Sequence, residues 1–276
     1  MEVRAKKQLG QHFLTDLNVA RRIAATISPE ALAEAARRNS ADIAEAELRG
    51  NLPVVEIGPG MGVLTKFLVA DGRNVTAVEL DSESVEYLSR EMPSLHVIEA
   101  DFLQLDLSLL AGGAPFALIG NYPYNISSQI FFKVLDYKEQ IPVVAGMLQK
   151  EVAERICAGP GSKVYGILSV LLQAWYDCSY LFSVPPGVFA PPPKVTSGVL
   201  RLTRNTRTSL GVDERDFKKV VKMAFGQRRK TLRNSLKGLL GADNPIMSTP
   251  LMDLRPERLG VEDFIEITKA LPSNNQ

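Results

Sequence analysis

Four short apolar runs in this 276-residue chain each end in residues able to touch a ligand. "VVEI" leads into Gly58-Pro59-Gly60-Met61-Gly62, "VTAV" into Glu79, "HVIEA" into Asp101, and "FALIG" into Asn121-Tyr122-Pro123-Tyr124. Glycines let a backbone turn sharply and approach a ligand without a Cβ in the way. The spacing is G-x-G-x-G, not the G-x-G-x-x-G of a dinucleotide pyrophosphate site. Taken alone, the loop leaves three readings open: a nucleotide-like cofactor, another phosphate ligand, or tight packing. Gly58 and Gly60 are its candidate binding positions. Glu79, about 20 residues further on, is placed to accept from both hydroxyls of a ribose. Asp101, at the next strand end, is placed to accept from an adenine amino group. On the plainer reading Asp81 caps a helix, and Glu79 and Asp101 merely end their strands.

Three consecutive strand ends of this kind form a constellation typical of S-adenosylmethionine pockets. The fourth then acquires a use. An adenine amine is a poor nucleophile because its lone pair is delocalised into the ring. Acceptors that hold its N–H groups out of the ring plane restore lone-pair character. Asn121 Oδ1 and the Tyr122 carbonyl are the candidate acceptors, and Pro123, with a fixed φ and no N–H, stiffens the turn between them and Tyr124. Tyr124 offers a face on which an extruded base can stack. No strong general base is required, because a methylated ammonium is far more acidic than the amine. Catalysis would consist of positioning with hydrogen-bond assistance, and Asn121 and Tyr124 are its candidate residues. The competing reading is a plain turn with two tyrosines packed at a rim.

Elements must carry these residues to one edge. The runs at 53–58, 74–80, 95–100 and 115–120 are rich in Val and Ile, and amphipathic or Gly-containing stretches separate the first three. That is the alternation of βαβ units with buried parallel strands. Helices are expected at 16–27 with Asp16 as N-cap, at 29–49 with a break near Asn39-Ser40, and at 127–136, 150–158 and 165–176. Residues 141–148 read as a further strand, and 177–184 with 196–204 as a late hairpin. Beyond Arg204 only helical patterns remain, at 213–225, 230–240 and 261–271, and residues 273–276 read as a frayed end. Two domains are expected, 1–204 and 205–276.

Composition narrows the class. With 45% hydrophobic and 23% charged residues the chain is an ordinary globular protein. No run approaches the roughly 20 apolar residues that span a bilayer. No apolar segment follows the basic N-terminus, so no secretory signal is expected. Cys157 and Cys178 have neither metal nor disulfide spacing and are expected to be buried, reduced thiols of a cytoplasmic protein. With only His12 and His96, a His-based metal site or a Ser-His-Asp triad is not expected. Net charge is +1, yet from Arg201 onward there are 15 Lys/Arg against nine Asp/Glu. Between Arg215 and Lys237 nine basic residues face one acid. With so few acids for pairing, Arg228, Arg229, Lys230, Arg233 and Lys237 are candidate phosphate contacts, with Val221, Phe225, Leu232, Leu236 and Leu239 turned inward. Lys6 and Lys7 could extend that patch.

Over nearly its whole length the chain resembles the KsgA-type rRNA adenine dimethyltransferases. The motifs are "KKQLGQHFL", "VVEIGPGMGVLT", "AVELD", "EADF", "NYPYNIS", "LQKEVAERI", "VFAPPPKVTSGVLRL" and "FGQRRKTLRNSL". The resemblance implies an α/β, Rossmann-like S-adenosylmethionine-dependent methyltransferase domain with a small all-α C-terminal domain. It implies S-adenosylmethionine as methyl donor, no metal, and methylation of N6 of two adjacent adenosines near the 3′ end of small-subunit (16S) rRNA. The partner would be the small ribosomal subunit, with no membrane involved, and the protein a monomer. Binding positions carry over to His12, Leu14, Gly58, Glu79, Asp101 and Asn121, the stacking tyrosine to Tyr124, and a base-facing aromatic to Phe189. Three features depart from the pattern. Tyr122 stands where the family usually has leucine, His12 where it often has asparagine, and the helical stretch 29–50 is longer than usual.

Alternatives are a large-subunit rRNA methylase of the macrolide-resistance type, or a ribosome-assembly factor in which methylation is secondary. An NAD-dependent oxidoreductase lacks the glycine spacing and an evident proton donor.

Overall fold

The computed structural model describes residues 3, 5, 6, 9–38 and 42–272. Lys7, the break expected at Asn39-Ser40 and the end expected to fray at 273–276 lie outside the described residues. Among the described residues nine strands form: β1 (Phe13–Leu14), β2 (Val54–Ile57), β3 (Val75–Glu79), β4 (His96–Glu99), β5 (Ala117–Asn121), β6 (Val143–Gln149), β7 (Tyr176–Val184), β8 (Phe189–Ala190) and β9 (Ser197–Arg204). Twelve α-helices accompany them: α1 (Leu17–Ala24), α2 (Pro29–Arg38), α3 (Ile43–Gly50), α4 (Thr65–Ala70), α5 (Ser82–Glu91), α6 (Ser127–Asp136), α7 (Lys150–Cys157), α8 (Ile167–Gln173), α9 (Glu214–Gly226), α10 (Leu232–Ser235), α11 (Lys237–Leu240) and α12 (Val261–Lys269).

Seven strands make one sheet in the order β4-β3-β2-β5-β6-β9-β7. Strands β2 to β6 run parallel, and β9 runs antiparallel to β6. Strands β2, β5 and β6 are buried along almost their whole length because both of their faces are covered. Chain order turns back between β2 and β5, so the ends of these neighbours flank a switch point. Open sheets of this kind bind ligands there. Helix α1 starts as its sequence requires: Asp16 Oδ1 accepts from the N–H groups of Asn18 and Val19 at 2.8 and 3.0 Å, a cap worth about 1 kcal/mol. Its buried Val19, Ala20, Ile23 and Ala24 join Val54, Ile119 and Val143 in the core.

The chain forms two compact units. One comprises residues 1–153 and 178–204, and the other 154–177 and 205–276. The second unit is therefore discontinuous, whereas the sequence reading drew one cut at 204. The reason lies in α8, whose apolar residues Leu168, Val170, Leu171 and Leu172 are all buried. A helix apolar all round needs partners on every side, and α9 and α12 supply them. The unit's aromatic centre stacks Tyr165, Phe225 and Phe264 at successive centroid distances of 6.1 and 6.0 Å. The helix expected over 165–176 stops at Gln173, because Trp175 ends a turn and Tyr176 opens β7. The stretch 230–240 breaks into the two short helices α10 and α11. Cys157 and Cys178 form no disulfide among the described residues and are only half-buried, short of the full burial expected.

Candidate active site

The strand ends at the switch point do meet around one cavity. Gly58 and Gly60 after β2, Glu79 at the end of β3, Asp101 after β4 and Asn121 to Ile126 after β5 all line it. Residues 9–13 form a further wall. Gly60 has φ +56°, and a Cβ there would lie 2.9 Å from the Phe13 ring, so both its conformation and its surroundings call for glycine. Its N–H donates to Glu79 Oε2 at 3.0 Å. Glu79 Oε1 accepts from the N–H groups of Leu80 and Asp81, each at 2.9 Å. A carboxylate offers about four lone-pair positions, so Glu79 has room for one further donor rather than the two ribose hydroxyls expected of it. Burial raises the Glu79 carboxyl above its ordinary range, and the three N–H groups oppose that rise.

Asp101 folds back on its own turn, Oδ1 accepting from the Leu103 N–H at 2.9 Å. That turn is pinned from α6: Lys133 Nζ donates to the carbonyls of Leu103, at 2.9 Å, and Leu105. Desolvation lowers the Lys133 pKa, and Asp101, Asp106 and Asp136 counteract it. Sequence reasoning missed Lys133, since a lone lysine on an amphipathic helix reads as solvated surface.

Asn121 is oriented by a single bond, its Nδ2 donating to the His12 carbonyl at 2.9 Å. The amide therefore turns Oδ1, an acceptor, away from that contact. The His12 ring donates from Nδ1 to the Pro191 carbonyl at 2.8 Å, since a carbonyl can only accept, and lies 5.4 Å from the Tyr124 ring. Tyr124 shares a 2.5 Å hydrogen bond with Ser197 Oγ, and burial raises its phenol pKa. Leu14 and Phe189 pair across β1 and β8, are 5% and 4% exposed and join the core; neither lines this cavity, but Leu14 lines a smaller one beside it with Gly58 and Asn121. Their pairing carries the adjacent His12 to the cavity.

Tyr122, where the resemblance led to an expectation of leucine, is buried. Its hydroxyl donates to the Ala145 carbonyl at 2.7 Å and its ring meets Phe131 edge-on at 5.7 Å. The ring lies over Gly146 of β6, where a Cβ would come within 2.8 Å of it. The hydroxyl thus finds the partner that a buried phenol needs, and the backbone still emerges at the strand end.

The ligand class follows from the cavity's donors and acceptors. Among the described residues its ionisable carboxyls are Glu79 and Asp101, and no lysine or arginine lines it. Two acids without a cation repel a phosphate but suit a nucleoside, whose hydroxyls and exocyclic amine are donors. Val78, Leu80, Phe102 and Leu103 supply apolar walls for a purine.

Comparison with known proteins agrees. Residues 2–271 match the family described as ribosomal RNA adenine dimethylase. The chain belongs to that family. A Parabacteroides distasonis protein named ribosomal RNA small subunit methyltransferase A is 60% identical over 96% of this chain and 93% of the relative. One of the same name from Porphyromonas gingivalis is 55% identical over 98% and 99%. Among solved structures, a dimethyladenosine transferase from Plasmodium falciparum superposes with a TM-score of 0.73 at 22% identity, covering 94% of this chain and 98% of that one. The 23S rRNA methyltransferase ErmE superposes with a TM-score of 0.64 at 24% identity, covering 94% and 99%. At such identities both show a shared fold.

The family's basic segment lies in the second unit. Arg229, Lys230 and Lys237 are exposed and form no ion pair among the described residues. Arg233 is engaged instead, donating to Asp253 Oδ1 from Nε at 3.1 Å and Nη2 at 2.7 Å. Arg228 donates to the Lys163 carbonyl. Lys6 does not stand free to extend a cationic patch, because its Nζ pairs with Asp81 and Glu83.

Proposed function

We propose that this protein methylates N6 of two adjacent adenosines near the 3′ end of small-subunit (16S) rRNA, giving N6,N6-dimethyladenosine. The observation that carries the reading is the Asn121 amide, fixed by the His12 carbonyl at the edge of an acid-lined cavity that fits a nucleoside and opposes a phosphate. The names of the Parabacteroides and Porphyromonas relatives supply the substrate class.

S-adenosylmethionine, when bound, supplies an electrophilic methyl group on a sulfonium. The acceptor set fits it: Glu79 would hold a ribose hydroxyl, Asp101 the adenine amine, and Gly58 and Gly60 the backbone wall. Leu80, Phe102 and Leu103 would enclose the purine. Asn121 Oδ1 and the Tyr122 carbonyl accept the two N–H groups of the target amine and hold its lone pair out of conjugation. Tyr124 stacks against the extruded ring, anchored through Ser197. The proton of the methylated nitrogen leaves to water, since that ammonium is strongly acidic. After one methylation the amine keeps a single N–H, so either acceptor suffices for the second. The exposed cations Arg229, Lys230 and Lys237 would meet rRNA phosphates, which position substrate without reading its sequence.

Mass analysis of adenosines from isolated small and large subunits, each incubated with protein and S-adenosylmethionine, tests the proposal. Dimethyladenosine at two adjacent positions of the small-subunit RNA is expected. Methylation confined to the large subunit would overturn the substrate. Undiminished transfer by Asn121→Ala would overturn the mechanism.

A further inference from the structure

Asp81 lies two residues beyond Glu79, and the mechanism above makes no use of it. It occupies the N-cap position of α5, yet its side chain accepts from no helix N–H. The Asp81 side chain is only 1% exposed. Oδ1 accepts from Lys6 Nζ, and Oδ2 from Ser84 Oγ at 3.0 Å and Gln11 Nε2 at 3.4 Å. Lys6 also reaches Glu83 Oε1 at 3.1 Å, while its N–H donates to Gln11 Oε1 at 2.8 Å. Two donors from the N-terminal segment thus converge on one buried carboxylate. On its other side, the Asp81 N–H donates to Glu79 Oε1.

The segment between these anchors matters because residues 9–13 wall the nucleoside cavity. Its far end is tied down by the His12–Asn121 bond and by the β1–β8 pair. Among the described residues, the Asp81 contacts and the Lys6–Glu83 pair secure its near end. A buried carboxylate deprived of its cation is costly, so Asp81 favours the segment lying closed. Lys6 keeps 30% of its side chain exposed, which leaves the pair open to screening by salt.

We propose that Asp81 is a positioning residue, the joint through which Lys6 and Gln11 hold residues 9–13 over the cavity and link that closure to Glu79. This rests on the nucleoside reading of the site. Loss of the joint would leave the catalytic groups in place and shorten the residence of whatever the segment covers.

The test uses the full chain and S-adenosylhomocysteine as probe. Dissociation rates come from stopped flow, affinities from calorimetry, and closure from hydrogen exchange at amides 9–13. Lys6→Met and Asp81→Asn are each expected to speed dissociation about tenfold, less than the roughly 30-fold or more for a fully buried charge pair, because Lys6 is partly exposed and acts through the segment. The double variant should be no faster than the faster single, and Lys6→Arg should restore the wild-type rate. Wild-type dissociation should quicken with salt, whereas that of Lys6→Met should not. Amides 9–13 of the saturated variants should exchange faster than those of the saturated wild type. Lys6 is a partly exposed side chain, so its variant is expected to fold, and its melting temperature checks this. A Lys6→Met protein that releases the probe at the wild-type rate with unchanged exchange overturns this inference alone. A wild-type protein that fails to bind the probe overturns the nucleoside reading, and this inference with it.

Discussion

Tyr124 and Ser197 illustrate how a residue of no apparent chemistry can set the geometry of one that has it. Ser197 is completely buried at the start of β9, and its hydroxyl partners the Tyr124 phenol. Removing that hydroxyl leaves a half-buried phenol without its bond, a cost of about 1 kcal/mol, and frees the ring to rotate. Ser197→Ala is expected to lower kcat for subunit methylation by about tenfold, because misplacement of reacting groups is expensive. Tyr124→Phe should act on the same bond, so the double variant should be no slower than the worse single. Additive losses would show that the bond does not position the ring. Glu56, beneath the glycine loop, makes a different residue-level prediction. It is 1% exposed, and Oε2 has no hydrogen-bond partner. Burial pushes its carboxyl up to about 8; nearby Thr65 opposes this although its hydroxyl lacks a well-formed bond, and Glu79 adds to it. The folded state therefore keeps a proton that the unfolded chain releases near 4.5. Stability contributed by this group falls as pH rises through the window from 4.5 to about 8. Glu56→Gln should flatten that part of the pH profile of thermal unfolding and raise the melting temperature at pH 8. A slope identical to wild type would show that Glu56 is not the titrating group.

At the scale of elements, the junction of β5 and β6 explains why the departure from leucine at Tyr122 is tolerated. Gly120 and Gly146 are register partners, and the Tyr122 ring lies against both. A Cβ on Gly146 would meet the Gly120 carbonyl at 2.3 Å and the ring at 2.8 Å, at a φ of +146°. Gly146→Ala is accordingly expected to cost about 3 kcal/mol, combining overpacking with backbone strain, read as a shifted urea midpoint at constant slope. Adding Tyr122→Leu should recover only the ring's share, since the carbonyl clash remains. Full recovery would mean that the ring alone demands glycine. This junction also marks what could be read from the chain. Runs such as "VVEI" and "PVVAGML" announce buried parallel strands because burial on both faces removes polar alternation. The strand ends announce the cavity because the ligand side of such a sheet is fixed by its topology. Tyr122's partners, Ala145 and Gly146, come from a strand more than 20 residues away, and no local pattern ties them to it. Lys6 was misread for the same reason. Its acids lie across 75 residues of sequence, so it looked like one more member of a basic patch. Leu14 and Phe189 carried a motif, but only the β1–β8 pairing reveals that they support the site from the core.

At the scale of the whole molecule, the acid-lined cavity and the exposed cations of the basic segment fall in different units. Among the described residues, those lining the cavity at the strand ends all belong to the first unit, and no lysine or arginine lies beside its two carboxyls. The exposed cations of the 228–237 segment belong to the second. Small-molecule affinity and RNA affinity should therefore separate on mutation. Each phosphate contact contributes about 0.7–0.9 to the slope of log K against log salt. Replacing Arg229, Lys230 and Lys237 by alanine should reduce that slope by about 2–3 for binding to the small subunit, and leave S-adenosylhomocysteine affinity unchanged. Arg233 gives the internal contrast. Its guanidinium already serves Asp253, an exposed pair worth about 1 kcal/mol or less, so Arg233→Ala should change stability slightly and the salt slope by less than any one of the three free cations. A triple variant that retains the wild-type slope would place the RNA on some other surface. If Arg233→Ala gave the largest fall in slope, it would show instead that the Asp253 pair opens when RNA binds.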